Sequence, residues 1–431
     1  MTLLVRVFLA WLAAVAALPA AAWAQPDRTR EIFQRHAEAA GFPGAALVVV
    51  RGGQVAHRLT GGVCREGEPM STTTPLLIGS LSKPLTAEAA ARLAAADKLD
   101  LDAAIPGRPG LTSRMLLDQR SGFTRDQGFG VPAPGTQAWS ALTPLGVHGD
   151  YAYSNLNYVL LGDVLAKAAG RPFPSLMQET VFEPLGMTTA SAGDRAAARC
   201  GHQLAFGFIL PRAEPAWPEH AIPAGFMSAS AEDLGRFLLA KLAQDKQRPL
   251  AVDPDQYARG WRHDRLGEDR VFWHSGSSGS FRASMVLLPD RDLGFVVLTN
   301  MGGWMVEDPV DDLSVALLAH YRGETPAPPR ARVERWVRLG ISVLLLVVVL
   351  STVVRLFRTP DPAPGRLVGM VIWTLLLVGL PFGLKHMTGI GPIALWRLAP
   401  DLAAAMIGIP LMGLLGATVA FIRVGTRSRK A

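Results

Sequence analysis

With 431 residues and a net charge of +7, the chain has room for two or three structural units, one large enough to bury a full core. Hydrophobic residues make up 49% and the mean hydropathy is +0.22, too apolar for a water-facing enzyme alone, so part of that mass is expected to meet lipid. The positive charge sits at the ends: from residue 331 onward twelve Lys/Arg face three acids, while the body is mildly acidic, which argues against a nucleic-acid partner.

At the amino end, Arg6 precedes an apolar run from Val7 to Leu18 and then Ala22-Trp23-Ala24. A positive start, a short apolar stretch and an Ala-x-Ala end predict a secretory signal peptide over 1–24, cleaved before Gln25. An uncleaved anchor fits less well, because the run falls short of the ~20 residues that span a bilayer. Export would place the body in an oxidising space. There Cys64 and Cys200 either pair or serve as buried small hydrophobes, and the sequence leaves both open.

Residues 25–322 read as one globular unit. Gly44–Val50 and Gln54–Thr60 flank Gly52-Gly53, predicting a β-hairpin. Lys83–Leu99 and Tyr158–Ala169 have helical character. A late strand pair, Ala283–Leu288 and Leu293–Thr299, is joined by Pro289-Asp-Arg-Asp292. Strands at both ends with helices between predict an α+β fold whose termini share one antiparallel sheet. Residues 323–335, with Thr325-Pro-Ala-Pro-Pro329, read as a stiff linker.

The remainder, 336–431, is expected to be a membrane region with about three transmembrane helices, 336–354, 367–384 and 402–422. With the body outside, Arg355, Arg358 and Arg366, and then Arg423, Arg427, Arg429 and Lys430, fall on the cytoplasmic side. The outer loop carries only Lys385 and Arg397, offset by Asp401, in agreement with the positive-inside rule. Arg330, Arg332, Arg335 and Arg338 run against that rule, which a translocated domain can override. The expected location is the cytoplasmic (inner) membrane with the body on the periplasmic side.

Three groups of residues carry chemistry. Ser80 and Lys83, in Gly79-Ser-Leu-Ser-Lys83, are three apart at the start of a predicted helix and share one face. The free N–H groups and positive dipole end of that helix favour a developing oxyanion. A desolvated lysine can act as the base that a serine hydroxyl needs. Taken alone, the spacing suits a capping serine and a solvated lysine equally well. The second group is Tyr153-Ser-Asn155: the phenol can exchange protons with a serine, and Asn155 can bond both the lysine and a substrate amide. Tyr151 and Tyr158 read as structural. The third is Trp273-His-Ser-Gly276 followed by Ser277, at a strand end. A histidine there either supports the Tyr/Lys proton network or binds a substrate carboxylate.

The order Ser-x-x-Lys, Tyr-x-Asn, then a basic residue-x-Gly before a closing strand pair makes residues 30–320 resemble the class C β-lactamase and D-alanyl-D-alanine carboxypeptidase family, including its esterase and D-aminopeptidase branches. Leu116–Phe123, Ala224–Ser228 and Gly294–Asn300 are similar to other stretches of that family. The resemblance implies that Ser80 attacks, Lys83 is its base or proton relay, and Tyr153 is the acid/base toward the leaving group. It implies an oxyanion hole from the N–H groups of Ser80 and Ser277, with Gly276 and His274 on the facing strand and Asn155 orienting substrate. Two departures weaken the case for efficient β-lactam hydrolysis, while D-amino-acid peptides, acyl esters and β-lactams all stay open as substrates. His274 stands where the β-lactamases carry lysine, and Gln119-Arg-Ser-Gly122 replaces the usual His-Thr-Ser-Gly.

The nine histidines show no His-Glu-x-x-His spacing and no phosphate loop follows a strand, so neither metal nor cofactor is expected. The sequence thus predicts an exported, membrane-anchored serine hydrolase acting on an amide or ester through an acyl-Ser80 intermediate. Its partners would be a small-molecule or peptide substrate and membrane lipid. The competing reading is a catalytically weak penicillin-binding-type sensor or scaffold of cell-wall fragments, which would have no need of Ser80, Lys83 and Tyr153 together.

Overall fold

A computed structural model describes residues 27–428 except 129, 215–216, 250–255, 304–308, 332, 358–365, 389–390, 392–394 and 397–398. The expected signal peptide, and Arg358, Arg397, Arg429 and Lys430, lie outside the described residues. Asp27 caps helix α1 (Arg28–Ala40) by accepting from the Arg30 N–H, and Gly41 closes it in the left-handed conformation. The predicted hairpin follows as β1 (Gly44–Arg51) and β2 (Gln54–Arg65), turned at Gly52-Gly53, and β2 goes on to meet the short strand β3 (Glu68–Pro69). Helix α2 (Ser82–Ala95) stops before the predicted Leu99, because the chain turns left-handed at Asp97. Helix α3 (Asn155–Ala169) begins at Asn155, three residues ahead of the predicted start.

A second, small sheet holds the hairpin β4 (His202–Ala205) and β5 (Phe208–Pro211). Helix α4 (Ala231–Gln247) is set by a capping box between Ser230 and Asp233. The chain then lays down β6 (Gln256–Ala258), β7 (Trp261–Leu266), β8 (Asp269–Ser277), β9 (Arg282–Leu288) and β10 (Leu293–Thr299). The two-residue β11 (Met301–Gly302) leads to helix α5 (Pro309–Arg322).

The main sheet has eight strands in the order β6-β7-β8-β9-β10-β1-β2-β3, every neighbouring pair antiparallel. Val48 of β1 lies opposite Val296 of β10, so the first and last long strands share the sheet as the sequence predicts. Alternation along β1 supplies two cores. Ala45, Leu47 and Val49 pack with Ile32, Phe33, Leu313 and Leu317 beneath α1 and α5. Ala46, Val48 and Val50 face the larger helical layer, with Leu234, Phe237 and Met285. Each fully buried Val, Leu, Ile, Phe or Met side chain among these contributes about 1.5–3 kcal/mol. Cys64 and Cys200 form a disulfide, their Cα atoms 4.9 Å apart, joining β2 to the start of the small sheet.

Residues 323–331 have no regular structure. Among the described residues, three long helices follow: α6 (Val333–Phe357), α7 (Arg366–Thr388) and α8 (Pro400–Ser428). α6 and α8 are candidate membrane spans by length and apolar composition, over Val333–Val354 and Pro400–Val419. The apolar stretch of α7, Met370–His386, is shorter. Leu344, Leu350, Leu375 and Phe382 point outward, a surface suited to lipid rather than water.

Candidate active site

A 3-10 turn at Gly79-Ser80-Leu81 runs directly into α2 and holds Ser80 at the helix start. The neighbouring Ser82 is consumed structurally: its hydroxyl donates to the Gly79 carbonyl at 2.8 Å and accepts from the Met227 N–H at 3.1 Å. Ser80, half-buried, is thus the serine whose hydroxyl is left for Lys83.

Lys83 reaches back along the helix face, its Nζ 3.1 Å from Ser80 Oγ. It also donates to Asn155 Oδ1 at 2.8 Å and to the Ala224 carbonyl at 2.5 Å, and lies 4.9 Å from the centre of the Tyr153 ring. The side chain is fully buried, and burial alone pulls its pKa down to about 7. In the neutral amine, two N–H groups serve Asn155 and Ala224, and the lone pair is left for the Ser80 hydroxyl proton. A lysine among acceptors, with no carboxylate paired to it among the described residues, is poised to take a proton at neutral pH.

The Tyr153 phenol lies near enough to Ser80 for that hydroxyl to act on it, and Asn155 opens α3 beside it. Burial pushes the phenol up to about 12, against the lowering pull of Ser80, Arg262 and Arg125. It stays protonated at neutral pH, so the free base of the cluster is Lys83.

Strand β8 packs against the nucleophile turn. A Cβ at Gly276 would stand 2.0 Å from the Ile78 carbonyl oxygen, and one at Gly79, where φ is +54°, would stand 2.3 Å from the Ser277 nitrogen. Two glycines therefore let the nucleophile turn and β8 touch backbone to backbone. Gly276→Ala should force them apart and slow acylation of Ser80 by on the order of a hundredfold, the scale of losing one oxyanion donor. Circular dichroism should stay unchanged while the labelling rate drops; an undiminished rate would refute the close-approach argument.

His274 is buried, and both ring nitrogens have intramolecular partners. Nδ1 is 2.7 Å from the Ser275 carbonyl and Nε2 is 3.2 Å from the Tyr257 hydroxyl. Burial, with Lys83 nearby, depresses its pKa to about 3. Of the two roles weighed from sequence, this geometry suits support of the Tyr/Lys network and not the cationic capture of a carboxylate. Ser277 is exposed at the strand end, its hydroxyl accepting from Arg282. Arg120 donates to the Gly149 carbonyl and to Gln256 Oε1, bracing a loop against the start of β6. Tyr158 is buried with its hydroxyl on the Leu117 carbonyl.

Two residues escaped the sequence reading. Tyr257 of β6 stands edge-on to both Tyr153 and His274. Arg262 of β7 lies 5.6 Å from the Tyr153 ring and 5.3 Å from the Trp273 ring, and among the described residues no carboxylate is paired with it. Strand pairing brings them in: Arg262 is opposite Trp273 in the β7/β8 register. The signal available was the β-alternation of Trp261-Arg-His-Asp264 one hairpin ahead of His274.

Comparison with known proteins bears on the fold and family of this chain. The chain is 23% identical over 368 residues to "Protein flp" of Staphylococcus aureus (strain COL), covering 76% of this chain and 73% of that one. It is 26% identical over 332 residues to "D-alanyl-D-alanine-carboxypeptidase/endopeptidase AmpH" of Escherichia coli (strain K12), covering 64% and 85%. Its fold matches a beta-lactamase/D-alanine carboxypeptidase from Yersinia pestis with a TM-score of 0.57, at 19% identity, over 68% of this chain and 98% of that one. The Beta-lactamase family model matches residues 29–320, the span that carries the eight-stranded sheet and the Ser80–Lys83–Tyr153 cluster, and on that match the chain belongs to the beta-lactamase family.

Proposed function

We propose that this chain is an exported, membrane-anchored serine hydrolase that cleaves an amide or ester through an acyl-Ser80 intermediate. The observation that carries the reading is the buried Lys83 amine, set 3.1 Å from Ser80 Oγ. Ser80 Oγ bonds to the substrate carbonyl carbon as its proton passes to Lys83 Nζ. The N–H groups of Ser80 and Ser277 receive the oxyanion. Tyr153, resupplied by Lys83, gives a proton to the leaving nitrogen or oxygen as its bond to the carbonyl carbon breaks. Asn155 holds Lys83 and faces the substrate amide. Water then attacks the acyl-enzyme by the reverse proton route, releasing the acid and restoring Ser80.

The substrate class is read from charge. Because His274 is neutral, a substrate carboxylate would be met by Arg262, which favours a peptide ending in a D-amino acid over a neutral ester. The Escherichia coli relative, named as a D-alanyl-D-alanine-carboxypeptidase/endopeptidase, supports the same class. Two candidate spans and the signal-peptide pattern expected over 1–24 support a body on the periplasmic side of the cytoplasmic membrane, with lipid around the helices.

The test uses the full chain in detergent with a fluorescent penicillin and a fluorophosphonate. Both should label wild type and neither Ser80→Ala. Among D-Ala-D-Ala peptides, D-amino-acid amides and acyl esters, the first should turn over fastest, with KM raised about tenfold or more by Arg262→Leu. No adduct with either probe would reject the proposal. Adduct without product release would favour the sensor reading.

A further inference from the structure

At the head of the C-terminal helices, Arg338 of α6 and Asp401 of α8 form an ion pair, Nη1 to Oδ1 2.8 Å, with side chains 4% and 0% exposed. Burying two charges costs several kcal/mol unless their remaining donors and acceptors are satisfied. Here they are satisfied by the backbone of the β4–β5 hairpin. Arg338 donates to the Leu204 carbonyl at 3.1 Å, and Asp401 accepts from the Phe206 N–H at 3.1 Å. Arg335 adds a bond to the Gly207 carbonyl at 3.1 Å. The turn is shaped for this seat: Phe206 and Gly207 are both left-handed, and a Cβ on Gly207 would stand 2.8 Å from Leu339 Cβ.

The base of the same hairpin is knit to the loop after Ser277. β4 pairs in parallel with β11, and the His202 N–H donates to the Asn300 carbonyl at 2.7 Å. A Cβ on Gly302 would fall 2.5 Å from the Ser280 nitrogen, and one on Gly201 2.6 Å from Ser280 Cβ. Just past β5, the Glu214 carboxylate accepts from Ser278 Oγ at 2.9 Å, from Gly279 N–H at 3.2 Å and from Ser280 N–H at 2.9 Å. One packed path therefore runs from the helix heads through the hairpin to the residues that follow Ser277.

We propose that Arg338, Asp401 and Glu214 are positioning residues for the hydrolase site, the helix heads holding the hairpin and the hairpin holding the oxyanion loop. The C-terminal helices are then a working part of the enzyme as well as its anchor. This rests on the reading of Ser80 as nucleophile and Ser277 N–H as oxyanion donor.

Coupling, not proximity, is the criterion, so the test is a double-mutant cycle on the full chain in lipid nanodiscs. Fluorophosphonate labelling rates are measured for wild type, Asp401→Asn, Glu214→Gln and the double variant, with thermal midpoints alongside. Each single variant should label about tenfold more slowly at a temperature where it is fully folded. The double variant should be no slower than the slower single. Wild-type rates in Asp401→Asn, or effects that multiply, would overturn the inference while leaving the hydrolase reading intact. An unlabelled wild type would instead reject the hydrolase reading and this inference with it. Should Asp401→Asn not assemble, Gly207→Ser disturbs the same seat and completes the cycle with Glu214→Gln.

Discussion

Replacing Lys83 with methionine should slow acylation of Ser80 by on the order of a thousandfold, the scale set by removing a positioned general base. Methionine keeps much of the buried volume, so the helix packing around α2 should survive. Asn155 Oδ1 and the Ala224 carbonyl each lose a donor, a cost of about 1–3 kcal/mol apiece, but the desolvation of a buried amine disappears with it. The pH profile separates loss of a base from general damage. The base is active only without its proton, and burial holds Lys83 at about 7. The wild-type labelling rate should therefore rise tenfold per pH unit up to about 7 and level off above. His274, at about 3, and Tyr153, at about 12, titrate outside that window. The methionine variant should show a flat, low profile. A wild-type inflection far above 7 would place the lysine in its solvated state and remove it as the base.

The same shift has a stability consequence of definite sign. Between about 7 and the ordinary lysine value of 10.5, the unfolded chain binds a proton that the folded chain does not. Stability from this group therefore rises with pH across that window, and below about 7 the burial penalty is present in full. Lys83→Met should lose that pH dependence, readable as a flatter thermal midpoint from pH 7 to pH 10.

How much of this was legible in the sequence depends on the separation of the partners. Ser80 and Lys83 lie three apart on a helix, so local periodicity alone puts them on one face. Tyr153 lies about 70 residues on and could be joined to them only through the family's order of motifs. His274 was legible as a position, but its role depended on whether Tyr257 and the Ser275 carbonyl would occupy its nitrogens, a packing fact. Arg262 was hidden because its place is set by cross-strand register with Trp273. In charge terms, the arginines at and just before the head of α6 are an exception to the positive-inside rule. Arg338 in fact pairs with Asp401, and Arg330 lies 3.2 Å from Asp312. Charge counts cannot distinguish a topological signal from arginines recruited to an interface. Helix α2 was over-extended by its alanine-rich register, which carries no information about the left-handed residue at Asp97.

Removing the Cys64–Cys200 disulfide should cost about 5 kcal/mol of stability, because the bridge closes a loop across a sequence separation of 136 residues. Most of that effect is placed on the unfolded chain, whose entropy the cross-link restricts. Its position adds a native-state role. Asn300 donates to the Val63 and Cys64 carbonyls at 3.0 Å each, and the Asn300 carbonyl accepts from the His202 N–H. The bridge therefore pins β2 to the base of the hairpin that carries Glu214 beyond it. Cys64→Ser/Cys200→Ser should shift the denaturation midpoint of the full chain sharply downward. It should also slow labelling of Ser80 at temperatures where the variant is still folded. Reductant should reproduce the shift in wild type and do nothing further to the double-serine protein. An unchanged midpoint would mean that the sheet and hairpin hold that junction without the bridge. A lowered midpoint with an unchanged labelling rate would confine the disulfide to stability, and leave the Asn300 contacts and the Glu214 carboxylate to fix the oxyanion loop by themselves.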